Sequence, residues 1–112
     1  MNKRKRKKYL KQHGLYVNPK ETWNLDQVIA RYVRPRLELF KKLKNGYPGI
    51  GDMDTPEKWD LALDKMIKAF VYLEKDDPYP YIHFELDKLQ CINDEIQEGL
   101  ELFSKWYRDL WW

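Results

Sequence analysis

The chain has 112 residues, 43% hydrophobic, 15% aromatic and 35% charged, with a single cysteine. That is one domain's length with apolar material enough to exclude wholesale disorder, and a lone Cys91 excludes an intrachain disulfide and fits a reducing, intracellular setting. No apolar run approaches the roughly 20 residues of a membrane span, and the net charge of +3 divides into a first twenty residues with eight Lys/Arg and no acid and a remainder with 13 basic and 18 acidic residues.

Residues 1–20 read as a basic N-terminal arm and connector, and residues 21–112 as one helical domain. In MNKRKRKKYLKQHG, seven basic residues (Lys3, Arg4, Lys5, Arg6, Lys7, Lys8 and Lys11) stand within eleven positions, and Gly14 is the expected helix stop. Like charges one turn apart oppose an isolated helix, so this segment is expected to order only against something anionic. One reading is a phosphate-binding arm for nucleic acid. Others are a solubilising tail and an end that folds onto the chain's own acidic surface. The charged start lacks the apolar stretch of a signal peptide.

After an extended connector broken at Asn18-Pro19, the first long helix is predicted to open at Asn24. Gln27 completes a capping box there, and Trp23 and Val28 form a hydrophobic staple. Leu25, Ile29, Tyr32, Val33, Phe40 and Leu43 recur on one face. Lys41, Lys42 and Lys44 load the last turn before Asn45-Gly46. Pro35 lies inside this helix and cannot donate to the carbonyl of Arg31, so a kink is expected. Arg36 falls on the apolar stripe, which demands either a buried carboxylate partner or an anionic ligand held beside carbonyls that the kink frees.

YPGIGDMD lacks the phosphate-loop pattern and reads as a connector. The second helix opens with Thr55 as N-cap and Pro56 in the first turn, carries Trp59, Ala62, Leu63, Met66, Phe70 and Leu73 inward, and stops at Asp76-Asp77-Pro78. Asp60 and Asp64 look outward, with Arg34 or Arg36 as candidate partners. PYPYIH is expected to cross the bundle end with Tyr79 and Tyr81 partly buried. A long C-terminal helix from near Phe84 aligns Leu89, Ile92, Ile96, Leu100, Phe103, Tyr107 and Leu110. Gly99 lies near that line, where a glycine costs about 1 kcal/mol, so it marks the close approach of another helix. Trp106 and Trp111 flank the line and Trp112 points away. The aromatic end either covers the open end of the bundle or offers itself to a protein partner or a second copy. The expected fold is thus an all-α three-helix bundle with a kinked first helix, a long C-terminal helix and the basic arm.

Chemistry is sparse. His13, His83 and Cys91 are solitary, no H-E-x-x-H or C-x-x-C occurs, and Ser104 is the only serine. No cofactor or metal is expected. Glu95 and Glu98 form an E-x-x-E pair, and Glu57 and Asp60 an E-x-x-D pair. All-α nucleotide pyrophosphohydrolases hold magnesium with such pairs, but in the reverse order. Asp94, Glu98 and Glu101 fall on the solvent side, so a solvated acidic face is preferred to a nucleotide hydrolase.

The stretches WNLDQVIARYVRPRLELF, EKWDLALDKMIKAF and EGLELFSKWYRDLWW, in that order, resemble a group of small tailed-bacteriophage proteins with W-x-L-D, P-R-L, L-D-K-M-I-x-A-F and E-G-L-x-x-F blocks. The resemblance covers about residues 25–112. It implies a phage or prophage origin and the cytoplasm of an infected bacterium as the setting, and it brings no activity or catalytic residue. The resulting expectation is a non-enzymatic interaction protein that occupies a host protein surface, for instance an inhibitor of a nucleic-acid-targeting defence protein. Its working parts would be Asp94, Glu98 and Glu101, the Arg31, Arg34 and Arg36 cluster, and Trp111 and Trp112. The alternative is a nucleic-acid-binding accessory protein that uses Lys3 to Lys11.

Overall fold

A computed structural model describes residues 2–75 and 86–111. Among them are four α-helices and no strand: α1 (Lys3–Gln12), α2 (Leu25–Leu43), α3 (Pro56–Leu73) and α4 (Leu86–Trp106), with 3-10 turns at Pro19–Thr22 and Tyr107–Asp109. The expected stop at Asp76-Asp77-Pro78, the segment carrying Tyr79, Tyr81 and His83, the start at Phe84, and Trp112 lie outside the described residues.

The all-helical bundle with a long C-terminal helix is as expected, but its layout is open rather than triangular. α3 packs against α2 on one side and α4 on the other, while the backbones of α2 and α4 do not approach each other. The reason lies in α3, whose Trp59, Ala62, Leu63, Met66, Ala69 and Phe70 are all buried. At about 100° per residue these six cover roughly a third of the helix circumference, wide enough for two neighbours. Ala30 and Leu37 of α2, Trp106 of α4 and Met53 of the intervening loop complete the core. The indole edge of Trp106 meets Trp59 at 6.2 Å between ring centroids.

Gly99 sits where α4 crosses α3. A Cβ there would fall 2.4 Å from the Ala69 Cβ and 2.5 Å from the Lys65 carbonyl oxygen. The glycine is therefore a condition of the crossing, as its place on the apolar line suggests. Thr55 caps α3 as expected, accepting from the Lys58 N–H at 3.2 Å.

α2 starts after Asn24 as expected, but the capping at its start is corrected. Asn24 adopts a left-handed conformation (φ 48°) and makes no side-chain cap bond, and Trp23 is exposed. The capping box forms one element earlier, where Asn18 accepts from Lys20 N–H and Glu21 bonds back to Asn18 N–H. Asparagine tolerates the left-handed region, and Asn24 uses it to turn the chain from the 3-10 turn into α2. α2 then runs through Pro35 from Leu25 to Leu43.

The end of the C-terminal helix is also corrected. α4 stops at Trp106 and continues as a 3-10 turn, so a phase counted at 100° per residue misplaces the side chains beyond that point. Trp106 is core, while Tyr107 is 62% exposed.

Candidate functional site

Both α2 and α4 carry more apolar surface than α3 covers. On α2 the buried line runs through Ala30 and Leu37. Leu25, Ile29, Tyr32 and Leu43 lie roughly 90–150° round the helix from it and are about half exposed or more. On α4 the buried line runs through Gly99 and Trp106, and Leu100 and Phe103 lie to one side of it, only partly buried. The uncovered sides of the two helices share a groove of about 320 Å³, with Tyr32, Val33, Arg36, Leu37 and Phe40 from α2 facing Phe103, Tyr107 and Leu110.

An aromatic ladder connects this groove to the core. Phe70 of α3 meets Phe103 edge-on at 5.0 Å, and Phe103 meets Tyr107 edge-on at 5.6 Å. The inner two rings fix the groove wall, and the outer one is presented to solvent. Across the groove the Arg36 guanidinium lies 3.7 Å from the centre of the Tyr32 ring and donates to the Tyr32 carbonyl oxygen at 3.0 Å. Arg36 is therefore exposed, and among the described residues no carboxylate pairs with it, contrary to the buried ion pair that its stripe position suggests as one alternative. It is stacked and held by a backbone oxygen, next to Pro35. A guanidinium preset in this way leaves its remaining N–H groups for an incoming acceptor.

Of the arginines expected to act together, Arg36 stands apart from Arg31 and Arg34. Arg34 lies about 160° round the helix from Arg36 and bridges Glu74 at 2.9 Å and Glu38 at 3.3 Å. The hydrogen bond and charge of Glu74, then the charge of Glu38, outweigh burial and raise its pKa further. Arg31 is exposed and lies about 60° from Arg34, on the same side of the helix. The carboxylate partners named for Arg34 and Arg36 belong instead to lysines: Asp64 to Lys41 and Asp60 to Lys44, both at 2.6 Å.

The acidic face of α4 is similarly engaged. Glu98 holds Lys65 at 2.6 Å, Asp94 accepts from Gln90 at 2.8 Å, and Glu101 from Gln97 at 3.1 Å. Glu95 accepts from Lys68 at 3.1 Å and from the Tyr72 hydroxyl at 2.9 Å. Burial pushes the Glu95 carboxyl upward, but the bonds from Lys68 and Tyr72 and the Lys68 charge outweigh it and hold it below the ordinary carboxylate value. Burial, and then the bond to Glu95, raise the Tyr72 hydroxyl. Among the described residues no three His, Cys, Asp or Glu side chains converge as a metal site. Both members of the E-x-x-E pair link α4 to α3, and Asp60 of the E-x-x-D pair bridges Lys44 just after α2.

At the bundle end Trp111 is 74% exposed. It borders a second cavity of about 310 Å³ with Asn45 to Pro48, Trp59 and Asp109. The arm residues Lys3 to Lys8 and Lys11 are all exposed on α1.

No family model, curated protein or solved structure matches this chain. The reading of the site therefore rests on its own geometry.

The groove residues are visible in the sequence as apolar positions, but spacing alone assigns them to the core. The missed signal is width. The α2 pattern spans nearly half the helix circumference once Ala30 and Leu37 are added to the predicted stripe, more than one neighbouring helix covers.

Proposed function

We propose that the protein is a non-enzymatic interaction protein that receives an amphipathic helix of a host protein in the α2/α4 groove. The observation that carries this reading is the groove itself, two aromatic-rich walls with Arg36 preset between them. Its α2 wall extends over about two helical turns, the length over which a docked helix sets anchors at i, i+3 or i+4, and i+7. Among the described residues the lining has one cation and no acid. That favours a partner helix carrying a carboxylate among its apolar anchors over a second copy, which would bring two basic grooves together. The tailed-phage resemblance supplies the setting, and a host protein that acts on nucleic acid as part of defence is the partner class put forward.

The test is co-purification from the bacterial host with wild type and with a Tyr32→Glu/Tyr107→Glu variant. Both side chains are largely exposed, so the variant keeps the fold, which circular dichroism checks. The expected result is a partner retained by wild type and lost by the variant, with affinity falling at least a hundredfold when recombinant partner is titrated, or about 2.7 kcal/mol. A partner retained equally by both proteins contradicts the groove reading.

A further inference from the structure

Among the described residues α1 is the one α-helix that packs against no other, and the sequence caps it at both ends. Asn2 accepts from the Lys5 N–H at 2.8 Å. At the C-terminus, Gly14 (φ 67°) donates to Lys11 at 3.2 Å and Leu15 to Leu10 at 2.8 Å, the paired bonds of a glycine-terminated helix. These caps hold seven cations in helical form although they repel one another. Among the described residues no carboxylate pairs with any of the seven, and the acids of α3 and α4 are largely occupied by local partners. Among the described residues, the reading in which the arm neutralises itself on the chain's own acidic surface has no contact in its favour.

The arrangement of the cations identifies the partner. At about 100° per residue, Lys3, Lys7 and Lys11 form one row, Arg4 and Lys8 the next, and Lys5 lies beyond, an arc of roughly 200°. Arg6 lies on the remaining side with Tyr9 and Leu10. A flat anionic surface, whether a bilayer or an acidic protein face, reaches about half of such a circumference. A membrane-surface helix also needs a continuous apolar face, which Arg6 interrupts. Walls of phosphate on both sides reach all of it. A helix with its side chains is about 10–12 Å across, which the roughly 12 Å major groove of B-form DNA admits. The major groove of A-form RNA is too deep and narrow.

We infer that α1 is a clamp for the two phosphate backbones bordering the major groove of duplex DNA, independent of the α2/α4 groove. The experiment is fluorescence anisotropy with the full chain and a generic DNA duplex of about two helical turns, across a salt series. Six or seven phosphate contacts predict an affinity loss of roughly a thousandfold between about 50 and 200 mM salt. Two matched variants, Lys3→Gln/Lys7→Gln/Lys11→Gln and Lys5→Gln/Arg6→Gln/Lys8→Gln, remove opposite flanks and keep helix propensity. Each is expected to flatten the log–log salt slope by about 2.7, or about 0.9 per charge. Failure to bind DNA at low salt overturns the inference. So does a loss confined to one flank, which describes a flat surface. Equal or tighter binding to an RNA duplex, or to vesicles rich in phosphatidylserine, overturns it as well.

Discussion

Gly99 shows how much one residue can decide here. A methyl group at this position meets the Ala69 Cβ and the Lys65 carbonyl well inside contact distance, and neither is the far end of a flexible chain. Gly99→Ala gains about 1 kcal/mol of helix propensity, but overpacking against backbone costs typically 1–3 kcal/mol or more. The net expectation is destabilisation, read as a lower denaturant midpoint, rather than the gain usual for an exposed helix glycine. Glu95 gives a second prediction. Its folded pKa lies below the ordinary 4.5, so its contribution is present above that value and lost as pH falls through the folded pKa. Glu95→Gln is therefore expected to be less stable than wild type near neutrality and to lose less on acidification from about pH 5 to pH 3, measured by thermal melts across that range. Asp54, held low by its hydrogen bond from Lys58, keeps part of the acid sensitivity in the variant.

Helix α2 carries the functional reading, and here the sequence is informative and misleading at once. Its existence, its ending and its apolar character are legible from spacing and terminal charge. Its orientation is not, because α2 has two apolar faces and spacing alone does not say which one meets α3. Ala30, small and easily passed over, marks the buried line, whereas the larger Leu25, Ile29 and Tyr32 face outward. The exposure of Arg36 has the same origin, since a position that lines an open groove need not bury its charge. In α4 the Gly99 crossing is readable from a glycine on an apolar line. The end at Trp106 is not, because the change from α-helical to 3-10 winding leaves no mark in the apolar spacing of KWYRDL. A prediction at this scale contrasts the two faces of α2. Leu37→Ala, at a buried position, is expected to cost about 2–5 kcal/mol. Leu25→Ala and Ile29→Ala, on the exposed face, should each change stability by well under half as much, by urea titration.

As a whole the molecule spreads its helices. Its radius of gyration is 17.9 Å and its extents are 52 × 42 × 20 Å, whereas a compact domain of about 100 residues has a radius near 13 Å. Two features account for this: three helices in an open layer around α3, and a basic α1 that packs on none of them. The charge division seen in the sequence is real but unequal in consequence. Most acids of α3 and α4 link or brace helices, whereas among the described residues no carboxylate pairs with the α1 cations, of which Lys7 and Lys11 lie over the Tyr16 ring. Small-angle scattering is expected to give a radius near 18 Å. Collapse of the arm onto the bundle would give a value several ångströms smaller. The groove claim has the most direct test at this scale, in hydroxyl-radical footprinting of the free protein and of its complex with the co-purified partner. Tyr32, Phe103 and Tyr107 are predicted to be modified in the free protein and protected in the complex, with Trp59 protected in both. Protection of Tyr32 and Tyr107 without the partner, or their unchanged modification within the complex, would contradict it.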